Sequence, residues 1–332
     1  MDSVDRNLLN EIQNCFPLVE YPFHTIGEQA GIGQTECLQR IARLKREGII
    51  RQISAIFDSG RLGYKSILVA ASVDEKDVEE VARVINERKG VSHNYLRDHP
   101  FNIWFTLTLP SERSFEDEIG RMGEEARWKK ILLLPSIRVF KIGVRLDMEE
   151  DADSAQERET MVSGNAKLKE DLSQHVSDTE KNIVRVLQDD LPLVPSPFLE
   201  MSKRCGMNVN EFLKSAAHLR ERGIMRRFAA VLHHRRAGYA ANGMGTWVVP
   251  KDQVEYFGRT AAGFKAVSHC YERPPCPPDW PYNLFTMIHA RSEHECKEIA
   301  EKISAETGIA DYRLLFSIRE FKKVRVIYFE DD

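Results

Sequence analysis

Most of the second half of this 332-residue chain restates its first half. The stretch "FPLVEYPF" (16–23) returns as "LPLVPSPF" (191–198), and "LQRIARLKREGIIRQISAIFDSGRLGYKS" (38–66) as "LKSAAHLRERGIMRRFAAVLHHRRAGYAA" (213–241). "VSHNYLR" (91–97) returns as "VSHCYER" (267–273), "FNIWFTL" as "YNLFTMI", and "LLLPSIRVFK" (132–141) as "RLLFSIREFK" (313–322). Order is kept throughout. The offset is 175 from Gly48 to Gly223, 176 from His93 to His269, and 181 from Asn102 to Asn283. The five-residue step falls in a proline-rich insertion, "PPCPPDWP". A tandem duplication of this length restricts the chain to two copies of one unit. Between them, 148–177 is polar, charge-rich and without aromatics, the composition of a linker.

Each copy divides again. Residues 1–50 carry helical periodicity: Leu8, Leu9 and Ile12, a break at Pro17, the turn Gly31-Ile32-Gly33, and a helix over 34–47 with Leu38, Ile41 and Leu44 inward. That is a helix-turn-helix pattern. An extended segment (51–57) follows, then strand 65–73, helix 75–88, strands 91–97 and 101–109, helix 113–126 and strand 131–142. The order βαββαβ predicts a ferredoxin-like unit over 51–147. The second copy repeats this as a helix-turn-helix over 178–225 and a ferredoxin-like unit over 226–332. The fold class expected is therefore α+β: two tandem repeats, each a winged helix-turn-helix followed by a ferredoxin-like domain, paired as a pseudo-dimer.

Composition narrows the function. The chain is 42% hydrophobic and 30% charged, with a net charge of −4, and no apolar run is long enough for a membrane span. Six cysteines with no C-x-x-C pair fit reduced thiols and a cytoplasmic location. There is no phosphate loop, dinucleotide fingerprint or serine nucleophile elbow. Cys270, Cys276 and His269 lack the spacing of a structural zinc site, so no protein-bound metal is expected.

Two readings of function divide the residues differently. Helix-turn-helix plus ferredoxin-like unit resembles the Lrp/AsnC regulators, and that resemblance implies DNA binding through helices 34–47 and 209–222. Their basic residues are Arg40, Arg43, Lys45 and Arg46 in one half and Lys214, Arg220 and Arg222 in the other. These are no more basic than many exposed helix faces, and DNA binding is not expected. The other reading starts from the strands, where side chains alternate faces. His93, Tyr95 and Arg97 then share a face, as do His269, Tyr271 and Arg273. In "MRRFAAVLHHRR" (225–236), Arg227, His233 and Arg235 oppose Phe228, Ala230, Leu232 and His234, while the first half has Asp58 and Ser59 where the second has His233 and His234. The halves share a scaffold and differ in chemistry.

These motifs together, "GIIRQISAIFD", "GVSHNYLR", "RRFAAVLHHR" and "VSHCYERP…WPYNLFTM", resemble the siroheme decarboxylases, a family usually built from two related subunits, here fused. The resemblance implies removal of two acetate carboxyls of siroheme, at ring positions 12 and 18, giving 12,18-didecarboxysiroheme for haem or haem d1 synthesis. It implies siroheme and its decarboxylated product as partners, no required cofactor, and iron arriving with the substrate.

The chemistry fits the residues. A tetrapyrrole with eight carboxylates needs fixed guanidinium groups, which bind carboxylate in a fork and stay charged when desolvated. Arg51, Arg97, Arg226, Arg227, Arg235 and Arg273 are candidates, with Tyr95, Tyr271, His234 and Trp280 as further substrate-binding groups. The methylene left after carbon dioxide departs needs a proton, and His93, His269 and His233 are the candidate donors. His93 or His269 is alternatively the ligand of the substrate iron. The proline-rich loop is expected to be a lid.

Overall fold

The computed structural model describes residues 1–142, 176–232 and 241–330. The first half runs α1 (Ser3–Asn14), α2 (Pro22–Gln29), α3 (Gln34–Arg46), β1 (Ile50–Phe57), β2 (Tyr64–Ser72), α4 (Val78–Glu87), β3 (Val91–Arg97), β4 (Ile103–Pro110), α5 (Phe115–Glu125), β5 (Lys130–Pro135) and β6 (Arg138–Ile142). The second runs α6 (Asp178–Leu187), α7 (Pro197–Arg204), α8 (Val209–Glu221), β7 (Met225–Leu232), β8 (Ala241–Trp247), α9 (Val254–Gly263), β9 (Val267–Glu272), β10 (Leu284–Ala290), α10 (Glu293–Thr307) and β11 (Tyr312–Lys323).

Local chemistry sets matching boundaries in the two copies. Capping boxes open α1 (Asp2 with Asp5) and α6 (Ser177 with Glu180), and a proline stands at the start of both α2 and α7. Gly48 and Gly223 end the third helices at φ 71° and 68°, a left-handed conformation that a Cβ would strain.

The six N-terminal helices of the two halves share one core. Leu8, Ile12, Ile41 and Leu44 pack in the same cluster as Ile183, Leu187, Phe212 and Leu219. Strands β1 and β7 pair antiparallel with each other and add Ile53, Ala55, Phe228 and Ala230 to that cluster. The sequence boundaries at 51 and 226 placed these strands with the ferredoxin-like units, and a wing was expected in each half. Instead each half gives a single strand to a ladder between halves, because its apolar face matches the helical core.

The remaining nine strands form one sheet, ordered β5-β2-β4-β3-β11-β8-β10-β9-β6. Within it, β5-β2-β4-β3 and β11-β8-β10-β9 are the two ferredoxin-like units. The last strand of each half extends beyond its own unit. β11 pairs with β8 over Tyr312–Phe316, then with β3 of the other half from Ser317 to Lys323. Reciprocally, β6 leaves β5 after Ser136-Ile137 and pairs with β9. The single strand expected over 131–142 is thus two, serving different halves. Each crossing strand carries an aromatic into the other half's helix-covered core: Phe140 into the second, Phe321 against the first.

The faces turned away from α4, α5, α9 and α10 meet in a fourth cluster drawn from both halves. It includes Ala70, Trp104 and Leu134 with Met244, Trp280, Phe285 and Leu315. No helix among the described residues is long and apolar enough to cross a membrane.

Candidate active site

Strands β3 and β9 present the repeated His-x-Tyr-x-Arg, and a bulge decides which face it takes. The pairing of β3 with β4 slips between Val91 and His93, and that of β9 with β10 between Val267 and His269. Strict alternation would set Val91 beside His93. The slip turns Val91 and Val267 into the helix-covered cores instead, where Asn94 also bonds to Asn86 of α4. His, Tyr and Arg of both strands are left on the opposite face, between the halves.

The two copies build the same stack there. His93 and Tyr95 rings lie 6.1 Å apart and His269 and Tyr271 rings 6.0 Å apart, both stacked. Arg97 sits over Tyr95 at 5.5 Å and Arg273 over Tyr271 at 4.9 Å. Each arginine then reaches across the seam. Arg97 donates to the Leu315 carbonyl at 2.9 Å, and Arg273 to the Leu134 carbonyl. Burial pushes both guanidinium groups down to about 10, and neither has a carboxylate partner among the described residues. Both Nε atoms are buried without a hydrogen-bond partner. A desolvated cation held by one carbonyl and an aromatic ring, with no anion, is costly, and an entering carboxylate would relieve it.

The histidines are held neutral. Burial, then the charges of Lys323, Arg51 and His269, lowers His93 to about 4. Burial, then Arg273 and Lys141, lowers His269 to about 4. Both imidazoles stand on the face between the halves, His93 beside Tyr95 and His269 beside Tyr271. Tyr95 and Tyr271 are raised, chiefly by burial. Each histidine Nδ1 meets the hydroxyl of the serine before it: Ser92 at 2.9 Å and Ser268 at 2.8 Å. In the second half only, Ser268 Oγ also meets His289 Nε2, at 2.8 Å.

The floor of this interior is cationic. Arg51 donates to the Lys323 carbonyl at 2.6 Å, and Arg325 to Ser54 Oγ and the Ala55 carbonyl. Burial, with Arg51 and Arg227 close by, pushes Arg325 down to about 10. Arg226 pairs with Asp58 at 2.8 Å, and its charge also lowers the Tyr271 phenol against the effect of burial. Arg227 faces the Gln13 carbonyl at 3.5 Å. His233, His234 and Arg235 lie outside the described residues.

Trp280 stands differently from its expectation. The loop after β9 folds inward, with Cys276 and Trp280 bridged, and the indole is fully buried between Trp104, Tyr282 and Phe285. Its ring fills the seam between halves, so the loop is a plug there and the indole is no open pocket wall. Sequence reasoning missed Ser92, Ser268, His289 and Arg325. The serines were legible as part of the repeated "VSH"; His289 stands opposite Thr108 in the repeat, so a search for shared residues passed over it.

Comparison with known proteins bears on this geometry. An AsnC-like ligand binding domain model matches residues 61–141 and 236–322, and a siroheme decarboxylase NirDL-like HTH domain model matches 5–51 and 180–226. A siroheme decarboxylase of Hydrogenobacter thermophilus is 46% identical over 98% of this chain and 95% of its own. The chain belongs to the siroheme decarboxylase family. A crystal structure of the siroheme decarboxylase NirDL, in co-complex with an iron-uroporphyrin III analogue, superposes with a TM-score of 0.73 at 40% identity, covering 98% of this chain and 95% of that one. The siroheme decarboxylase beta subunit of Methanosarcina barkeri is 45% identical over 45% of this chain and 97% of its own length. One half here thus corresponds to a whole subunit there.

Proposed function

We propose that the chain decarboxylates siroheme at the acetates of C12 and C18, giving 12,18-didecarboxysiroheme for haem or haem d1 synthesis in the cytoplasm. The observation that carries the reading is the pair of buried guanidinium groups, Arg97 and Arg273, that lack anionic partners among the described residues, on a face shared by two histidines. A polycarboxylate with a flat aromatic body suits that face, where Tyr95, Tyr271 and the arginines offer stacking and forked hydrogen bonds.

The step is redox-neutral. The bond between the acetate methylene and its carboxyl carbon breaks, carbon dioxide leaves, and the electron pair is delocalised into the conjugated ring. A proton then forms the new C–H bond of the methyl. We assign its delivery to Nε2–H of His269, whose Nδ1 is engaged by Ser268, and leave neutral His93 to ligate the substrate iron. The protein needs no cofactor of its own; iron comes with the substrate. Substrate carboxylates oppose the cationic terms that depress both imidazoles, so binding draws protons into the site.

DNA binding is not part of this proposal. Arg40 of α3 is tied to Asp2, Asp5 and Glu36, Arg43 to Asp5, and Lys45 to Asp190 of the other half. At the end of α8 Arg222 is likewise tied to Glu180, which leaves Arg46, Lys214 and Arg220 without an ion pair among the described residues. The deciding experiment is anaerobic incubation of the protein with siroheme, followed by mass analysis. A product lighter by two carbon dioxides is expected; unchanged mass would sink the reading. His269→Ala should lose turnover by about 100-fold or more.

A further inference from the structure

The two halves hold their histidines in the same stack, but among the described residues only the second has a further hydrogen-bonding group behind its serine. Ser268 Oγ lies 2.8 Å from His269 Nδ1 and 2.8 Å from His289 Nε2. The serine has one proton and two acceptors, the imidazole at 2.8 Å and the Met287 carbonyl at 3.3 Å, and the shorter contact is to the imidazole. His289 is half-buried near the end of β10 and so still touches solvent. In the first half the residue at the corresponding place is Thr108, whose hydroxyl pairs with Ser66 at 2.7 Å. The chain of groups there stops at Ser92.

Decarboxylation consumes one proton for each carbon dioxide released, and a buried imidazole that has given its proton up must be recharged before the next acetate reacts. We propose that His289 is the positioning residue that recharges His269 through the Ser268 hydroxyl, making the second half the site that turns over repeatedly. This rests on the reading of His269 as the acid.

The transfer balances. His269 Nε2–H passes to the methylene carbon. The Ser268 hydroxyl proton moves to His269 Nδ1, and Nε2–H of neutral His289 moves to Ser268 Oγ. His289 takes its replacement proton from water at Nδ1. One solvent proton is used per acetate, both rings return from Nδ1–H to Nε2–H before the next acetate reacts, and no electron leaves the substrate. The bulge at Ser268 is what makes this possible, since it brings the hydroxyl between rings on neighbouring strands.

The test compares wild type with His289→Gln, His289→Thr and Ser268→Ala under anaerobic turnover of siroheme. Threonine is the side chain the fold already carries at this place in the first half, and glutamine keeps a hydrogen-bonding side chain there. Expected are a fall in kcat of about tenfold or more with KM for siroheme little changed. A larger slowing in deuterated solvent and partial recovery with added imidazole should accompany it. Unaltered kcat and isotope effect in both His289 variants would overturn the relay. So would a lower affinity at unchanged kcat, or a lower kcat that neither deuterium nor imidazole moves. Wild-type protein that leaves the mass of siroheme unchanged would instead remove the decarboxylase reading, and the relay with it.

Discussion

His93 and His269 tie the site to the stability of the fold. In the unfolded chain each imidazole takes up its proton near pH 6.5; in the folded protein it does so only at about 4. Between these values the unfolded chain holds more protons, so stability is present above about 6.5 and is lost as pH falls towards 4. His99, also lowered to about 4 by burial, has the same sign. The ligand-free protein should therefore lose Tm steadily across that window in thermal melts. His93→Gln/His269→Gln should lose less, keeping a residual slope from His99; equal slopes would show that the two imidazoles are not the depressed groups. At this scale the sequence was legible where the halves agree. His-x-Tyr-x-Arg could be read twice over, and its shared face followed from alternation. Which face it was could not be read, because a single bulge residue at Ser92 and at Ser268 reverses the assignment of Val91 and Val267.

Among the elements, the crossing strands β6 and β11 decide how the site is enclosed, and their packing gives a sharp test. A Cβ added at Gly258 of α9 would come within 2.4 Å of the Phe140 ring, the aromatic that β6 carries into the second half. Ring and helix backbone cannot both stay. Gly258→Ala is expected to destabilise by about 1–3 kcal/mol, read from denaturant unfolding, by levering β6 off β9. A smaller companion change, Phe140→Leu in the same background, should recover part of the loss; no recovery would place the strain elsewhere. The exchange itself was invisible in the sequence. "LLLPSIRVFK" reads as one strand, and nothing local says that its first half pairs at home and its second half across the molecule. β1 and β7 were hidden for the same reason: strand pairing between segments about 175 residues apart leaves no short-range pattern.

For the whole molecule, the duplication predicted two copies, and the structure makes them interdependent. They share a helical core, a two-strand ladder, a seam of aromatics and two exchanged strands. Polypeptides 1–147 and 178–332 expressed apart should be poorly folded, and expressed together should give one cooperative melting transition. Two separate transitions, or a well-folded lone half, would contradict this. The M. barkeri relative, built on the scale of one half, shows that a covalent tether is not a requirement of the family.

The reciprocal strands also fix how many units can assemble. Each half offers one terminal strand and has one edge, β3 or β9, that accepts one. Two units saturate each other's accepting edges, and only the outer edges of β5 and β6, at the two ends of the sheet, stay unpaired. The same hydrogen bonds could be made between different chains, so valence alone does not keep the assembly small. What does is the effective concentration set by the tether, which makes the partner on the same chain the nearest. Shorten that tether until a half cannot reach its own mate, and identical contacts would link molecule to molecule in open-ended runs.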